Sequence, residues 1–359
     1  MTILFDLGHP AHFHLFRNAI AELKGAGQKI EIIGRQKDCL PDLLARSGWP
    51  HHMVRRRGKG LAALAGELPK VLALVTYKAV RHRVKLMVGT SPVIGLASRL
   101  TGATSVVFCE DDAAVVPVFT KLAYPGAHYV VTPSWLRHEN HGRKHLTYPG
   151  CHELAYLHPN RFRPDPQIRQ VLGLGDNERY FLIRLVALRA HHDIGEKGLG
   201  PDEARAVVDR LRRHGRVFIS AETDVPADLQ PLLLPVPVDR IFDVVAFADM
   251  LVGDTQTMAI EAAVLGTPSL RCNTFVGRLS VMEELEHRYG LTVGIRPRRF
   301  DRFLAQIDDW LARPDLKAEW MRRRDVLLGE SLDLTQWIVD LLKSLLGRRQ
   351  AATARRAPR

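Results

Sequence analysis

The chain has 359 residues, and at roughly 150 residues per domain that length suggests two domains. Hydrophobic residues at 46% and charged residues at 25% exclude a disordered chain, and four cysteines over this length exclude a disulfide scaffold. Lys+Arg of 51 against Asp+Glu of 39 leaves a formal charge of +12, with five basic residues (Arg348, Arg349, Arg355, Arg356 and Arg359) in an acid-free tail over 347–359; the excess favours an anionic partner, whether nucleotide, phosphorylated lipid, membrane surface or nucleic acid.

Met1-Thr2-Ile3-Leu4-Phe5-Asp6 has no basic start and is interrupted by Asp6, so it reads as a strand and not as a signal peptide. A helix over 12–24 follows and stops at Lys24-Gly25-Ala26-Gly27. Strands over 29–33, 85–88, 105–109 and 129–132 then alternate with helices over 61–83, 92–100 and 117–123. Strand, helix, strand in this order predicts right-handed crossovers and a doubly wound sheet within residues 1–150. The stretch from Tyr148-Pro149-Gly150 through Pro159 to Pro164-Asp165-Pro166 reads as an irregular linker over 151–165. Alternation resumes over 166–333, with strands over 180–185, 217–220, 250–252 and 269–271. The helices there run over 203–213, 241–248, 257–265, 281–289 and 300–311. A final helix over 334–346 precedes the basic tail over 347–359, which reads as disordered. The fold class is therefore α/β, two Rossmann-like doubly wound domains.

No uncharged run approaches the ~18 residues of a membrane span. The most apolar stretch, 61–80, is broken by Glu67, Pro69 and Lys70. Cys39, Cys109, Cys151 and Cys272 are far apart, with no metal or redox spacing, and read as buried thiols of a cytoplasmic protein.

Two strand-to-helix turns carry candidate chemistry. The first is Asp6-Leu7-Gly8-His9-Pro10-Ala11-His12-Phe13-His14, where a glycine turn lets backbone approach a ligand and the helix start favours an anion. His9, His12 and His14 read as a general base or a phosphate contact beside the Gly8 turn; capping and packing roles for the histidines stay open. A metal site is not expected, since His12 and His14 diverge by about 200° on a helix and no carboxylate or thiol completes a set. The second turn is Gly253-Asp254-Thr255-Gln256-Thr257-Met258, after a strand and before a helix ending at Leu265-Gly266. Asp254 or Thr255 would cap that helix, the amides around Thr255, Thr257 and Met258 suit a diphosphate, and Glu261 two turns on suits ribose hydroxyls. An ordinary capped helix with a solvated Glu261 is the alternative. Arg184, His191 and His192 at the end of another strand are candidates to offset diphosphate charge, or form surface salt bridges. Ser220 and Glu222 end a neighbouring strand and should face the same ligand.

A basic stretch, Arg55-Arg56-Arg57-Gly58-Lys59, with Lys78, Arg81, His82, Arg83 and Lys85, brackets the apolar helix over 61–80. It suits a lipid-linked acceptor or peripheral contact with an anionic membrane; an amphipathic helix with solvated charges is the alternative. Nucleic acid is not expected as a partner, because aromatics are only 7% and none interleaves with the basic cluster.

Gly8-His9-Pro10 with His12, Tyr148-Pro149-Gly150 leading to Glu153-Leu154-Ala155-Tyr156-Leu157-His158-Pro159, and the segment over 253–268 together span nearly the whole chain. In this order they resemble a GT-B-fold family of unknown function related to hydrolysing UDP-N-acetylglucosamine 2-epimerases and UDP-sugar glycosyltransferases. The resemblance implies two Rossmann-like domains facing an interdomain cleft. It implies that Thr255, Thr257, Met258 and Glu261 hold a nucleotide sugar, and that Ile241 and Phe242 wall its base. Ala190-His191-His192-Asp193 resembles an epimerase loop whose histidine meets the phosphates. His12 matches a candidate base of a cell-wall N-acetylglucosaminyltransferase, and Glu110 an epimerase catalytic glutamate. Val88-Gly89-Thr90-Ser91 lacks the catalytic aspartate of an epimerase. The implied activity is transfer of a sugar from a nucleotide donor to a glycan or lipid-linked acceptor in envelope or surface polysaccharide synthesis, with no cofactor beyond the nucleotide-sugar substrate. A nucleotide-sugar hydrolase or 2-epimerase, or a non-catalytic nucleotide-sugar-binding protein, is the alternative.

Overall fold

The computed structural model describes residues 1–55, 61–136, 138–175, 177–186, 198–222 and 224–356, with backbone alone over 61–65 and 352–356. In chain order its first strands and helices are β1 (Thr2–Leu7), α1 (Pro10–Gly25), β2 (Lys29–Arg35), α2 (Leu40–Ser47), β3 (His52–Val54), α3 (Leu61–Arg81), β4 (Val84–Gly89), α4 (Pro92–Thr101), β5 (Thr104–Phe108), α5 (Pro117–Ala123), β6 (Tyr129–Pro133), β7 (His145–Tyr148) and α6 (Leu154–Leu157). There follow α7 (Ile168–Val171), β8 (Tyr180–Leu185), α8 (Pro201–Leu211), β9 (Arg216–Ala221), α9 (Ile241–Phe247), β10 (Met250–Gly253), α10 (Thr257–Leu265), β11 (Ser269–Cys272), α11 (Ser280–Glu283), β12 (Thr292–Ile295), α12 (Phe300–Leu311), α13 (Leu316–Glu330) and α14 (Leu334–Arg356). The chain forms two compact units, Met1–Arg161 with Leu332–Arg359, and Phe162–Ser331.

The first unit holds a parallel seven-stranded sheet in the order β3-β2-β1-β4-β5-β6-β7. The order reverses at β1, so right-handed crossovers place α1 and α2 on one face and α3, α4 and α5 on the other. The central strands read as continuous apolar runs because both faces are covered. On the second face Leu4, Ile33, Met87, Val107 and Val130 pack under Val71, Val75 and Ala79 of α3 and Val93, Ile94 and Ala97 of α4. Gly95 lets α4 close on the next segment: a Cβ there would stand 3.0 Å from the Ala123 carbonyl oxygen and from the Ala127 nitrogen. On the first face α1 buries Phe13, Leu15, Phe16, Ala19, Ile20 and Leu23, and the Phe16 ring meets Phe5 and Phe108. His9 caps this helix, its Nδ1 accepting the Ala11 amide at 3.2 Å, and Pro10 occupies the first turn where no amide is needed.

Residues 347–356 differ from the disordered tail expected over 347–359. One helix, α14, runs from Leu334 through Arg356. It packs on α1 and α6 and buries Leu334, Ile338, Val339, Leu342, Leu345 and Leu346. Thr335 donates to the Ala155 carbonyl at 2.6 Å. Arg349 donates to the Lys85 carbonyl at 3.0 Å, the Thr104 hydroxyl at 2.8 Å and the Gly102 carbonyl. An arginine-rich sequence thus remains helical because one of its charges is spent on backbone acceptors of the sheet's lower edge. Likewise Leu154, Ala155, Tyr156 and Leu157, inside the stretch read as a linker, are fully buried in the first unit as α6.

The second unit holds a parallel five-stranded sheet in the order β12-β11-β10-β8-β9. Its α10 is buried from Met258 through Leu265 between α9 and α13, which is why, Glu261 apart, its buried positions are apolar all round. Elements that left no apolar run in the sequence are edges or polar helices. The strands β3, β7 and β12 are short and lie at or beside sheet edges, and α13 buries only Leu316, Trp320 and Leu327.

Candidate functional site

In open parallel sheets ligands bind beyond the carboxyl ends of the strands, and each unit gathers polar side chains there. In the first unit Asp6, 0% exposed, ends β1 and receives two hydrogen bonds from Arg35 at the end of β2, one from Nη1 and one from Nη2 at 2.8 Å. Glu67 stands 3.8 Å from the Arg35 Nε. This buried pair anchors the turn that carries Gly8, His9 and His12.

The Gly8 amide donates to the His12 Nδ1 at 3.1 Å, which places the proton of the neutral ring on Nε2, and the Thr90 hydroxyl just beyond β4 lies 2.5 Å from Nδ1 and 2.6 Å from Nε2. Burial, followed by the charges of His9, Lys37, His152 and Arg35, holds His12 well below the usual imidazole pKa, so the ring is neutral at pH 7. Burial and Arg17 push His14 down to about 3, and its ring packs 5.3 Å from Tyr156. His9 is the helix cap, with its Nε2 3.7 Å from Asp38. Glu110 follows β5, and its Oε2 lies 3.3 Å from the His152 Nδ1. The His152 ring stacks 6.1 Å from Tyr148 at the end of β7. The Tyr148 hydroxyl and the His152 Nε2 are buried without a hydrogen-bond partner among the described residues. Buried polar atoms are nearly always paired, so such a group marks a place that can receive a polar ligand.

In the second unit Arg184 ends β8 and donates to the Ser220 hydroxyl at 2.7 Å and to Glu222. Ser220, Arg184 and Gly253 share one register across β9, β8 and β10. Gly253 is required by close approach, since a Cβ would stand 2.0 Å from the Arg184 carbonyl oxygen. Asp254 does not cap α10. Its carboxylate accepts the Val186 amide at 2.8 Å and the Leu199 amide at 3.3 Å, and burial raises its pKa to about 6 despite those bonds. Gln256 stands at the cap and makes no side-chain capping bond; the Thr255 hydroxyl one residue earlier accepts the Met258 amide of the first turn at 3.3 Å. The Asn273 side chain donates to the Asp254 carbonyl at 3.0 Å and stiffens the same turn.

The sequence-predicted residues therefore fall in two groups. Gly8, His9, His12 and Glu110 gather on the carboxyl edge of the first sheet, and Arg184, Ser220, Glu222, Asp254, Thr255, Thr257 and Met258 on that of the second. Glu261 and Met258 are both buried, Glu261 at 5% exposure. Phe242 is a core ring 6.0 Å from Phe162, and Ile241 at the start of α9 is half-buried. His191, His192 and residues 56–59 of the basic stretch lie outside the described residues. Among the described residues no group of three His, Cys, Asp or Glu side chains can hold a metal ion. Sequence reasoning assigned no role to Arg35, Thr90, Tyr148, His152 or Asn273. The signal for Tyr148 and His152 was present, since they flank the Pro149-Gly150 turn; Arg35 and Asn273 sit in ordinary strand ends and carried none.

No protein-family model matches the chain, and no curated protein matches it by sequence. Solved structures do match it along nearly its whole length. The UDP-GlcNAc 2-epimerase of Neisseria meningitidis bound to UDP-GlcNAc aligns with a TM-score of 0.66 at 12% identity, over 96% of this chain and 100% of that chain. S. aureus MnaA with UDP aligns with a TM-score of 0.69 at 12% identity, over 96% and 97%. Arabidopsis thaliana UGT89C1 with UDP aligns with a TM-score of 0.65 at 10% identity, over 96% and 100%. At these identities the likeness is one of fold: the chain has the GT-B architecture of two parallel α/β units shared by glycosyltransferases and UDP-GlcNAc 2-epimerases.

Proposed function

We propose that the protein transfers a sugar from a UDP-sugar donor to a hydroxyl acceptor, in the synthesis of envelope or surface polysaccharide. The observation that carries this reading is the polar edge of the first sheet, where His12 with Thr90 and Glu110 with His152 stand beside buried unpartnered polar atoms. The structural neighbours with bound UDP or UDP-GlcNAc support a nucleotide-sugar donor. The donor would lie on the second unit, with its diphosphate against the turn over 253–258 and Arg184. The acceptor would lie on the first. In the reaction the acceptor oxygen loses its proton to a base and bonds the anomeric carbon, while the bond from that carbon to the diphosphate oxygen breaks and UDP leaves with the electron pair. Helix-terminal amides and Arg184 offset the leaving charge.

Two groups can take the proton. His12 is held neutral, but its Nδ1 lone pair is engaged by the Gly8 amide, so it acts as a base once that bond opens or the tautomer changes. Glu110 needs no such change. A 2-epimerase reading is supported by the fold likeness to the UDP-GlcNAc 2-epimerase of Neisseria meningitidis, yet Thr90, which touches His12, stands in the segment where the resembling epimerases carry an aspartate. The test is product analysis with a panel of UDP-sugars and hydroxyl acceptors for the parent chain, His12→Ala and Glu110→Gln. Loss of a general base removes about 10²–10⁴-fold in rate, so one of the two variants should lose that much transfer with UDP affinity retained. Free UDP with an epimerised sugar and an unaltered acceptor would support the alternative enzyme. Binding of UDP-sugar without turnover, equal in all three proteins, would leave a non-catalytic binding protein.

A further inference from the structure

The first unit carries a second feature that the transferase reading does not use. Among the described residues ten large apolar side chains are strongly exposed, and six of them lie on α3, α4 and α5. Tyr77 and Val80 project from α3, Leu96 and Leu100 from α4, and Val118 and Leu122 from α5, at 41–68% exposure. Each pair is three or four residues apart, so each lies on one face of its helix. The opposite faces, Val71, Val75 and Ala79, then Val93, Ile94 and Ala97, then Ala123, are packed on the sheet. Because α3 packs on α4 and α4 on α5, the three outward stripes adjoin. Large exposed apolar side chains grouped on the outer faces of neighbouring helices point to an interaction site.

The exposed charges on these helices are one-signed. Lys70, Arg81, Arg99 and Lys121 are exposed beside the apolar stripes, and neither α4 nor α5 contains an acid. The single acid of α3, Glu67, is drawn inward beside Arg35. We propose that this outer face of α3, α4 and α5 docks on an anionic phospholipid bilayer. The apolar side chains would enter the headgroup boundary, with the lysines and arginines among the phosphates. A second copy of the chain is disfavoured as occupant, because a two-fold contact sets the same cations against one another. No helix of the described chain is long and apolar enough to cross a membrane, so the contact is one that lies on the surface. The inference does not depend on sugar transfer.

The test is flotation of the full chain with phosphatidylcholine vesicles with and without phosphatidylglycerol, at low and high salt, and sizing of the chain by light scattering. The parent chain should float with the anionic vesicles at low salt and be released by high salt. Arg81→Gln with Lys121→Gln should weaken partition about 30-fold, equivalent to about 2 kcal/mol. Leu100→Gln with Leu122→Gln should also lower it at high lipid, where charge alone is insufficient. Both double variants keep the terminal arginines and the basic stretch over 55–59, so binding unchanged in them would assign any membrane contact to those segments and overturn the proposal. A parent chain that ignores anionic vesicles would overturn it too. So would a dimer that the leucine changes dissociate, which would make the face a contact between copies. All substituted side chains are exposed, and an unchanged melting temperature confirms that each variant folds.

Discussion

Replacing Asp6 by Ala removes the partner of a buried guanidinium. Asp6 is wholly inaccessible and the Arg35 side chain is 12% exposed, with Glu67 as its other neighbour at 3.8 Å. Breaking a buried pair by deleting one member costs about 3–5 kcal/mol, because the remaining charge is left without compensation. Glu67 offsets part of this, which places the expected loss near 3 kcal/mol, or about 10²-fold in the folded-to-unfolded ratio. Native-state hydrogen exchange read on the β1 and β2 peptides reports the first unit directly. The reasoning also predicts that Asp6→Leu with Arg35→Met recovers most of the loss, since two apolar groups need no partner. A loss below about 1 kcal/mol in Asp6→Ala, or a double variant worse than the single one, would refute the claim that a desolvated ion pair anchors the turn carrying His12.

The Asp254 carboxyl, raised by burial to about 6 from 3.8, makes stability depend on pH. The folded chain holds this proton more tightly than the unfolded chain, so the group's contribution is full below about pH 3.8 and is lost as pH rises through about 6, by up to about 3 kcal/mol. The melting temperature of Asp254→Asn relative to the parent should therefore rise between pH 4 and pH 7; a constant difference would contradict it. Arg349→Ala should cost about 1–2 kcal/mol, since its three acceptors lie on a partly exposed edge. It should also speed amide exchange in the last turns of α14, whereas a disordered tail would show no change.

The alternation of apolar runs and amphipathic stretches was enough to read two doubly wound domains. Buried parallel strands must be apolar on both faces, as Leu4, Met87 and Val107 are, and helices beside them must carry a 3.6-residue stripe, as α1 does. The turns Gly8-His9-Pro10 and Gly253-Asp254-Thr255 were legible for the same local reason, a glycine and a cap between strand and helix. Roles within them were not. That Thr255 and not Asp254 accepts an amide from the first turn of α10 depends on where the Val186 and Leu199 amides stand, which neighbouring residues in sequence do not determine. Edge strands such as β3 and β7 escaped because one side of the ladder is unpaired and little apolar surface is buried. The pairings of Asp6 with Arg35, His12 with Thr90 and Glu110 with His152 join residues 29, 78 and 42 positions apart. No local pattern encodes such contacts, because the crossovers that bring strand ends to one edge are set by the order of the whole sheet. The C-terminal helix shows the same division: 347–359 read alone is a solvated arginine tail, and only α1, α6 and the carbonyls of Lys85 and Gly102 give residues 347–356 a reason to stay helical.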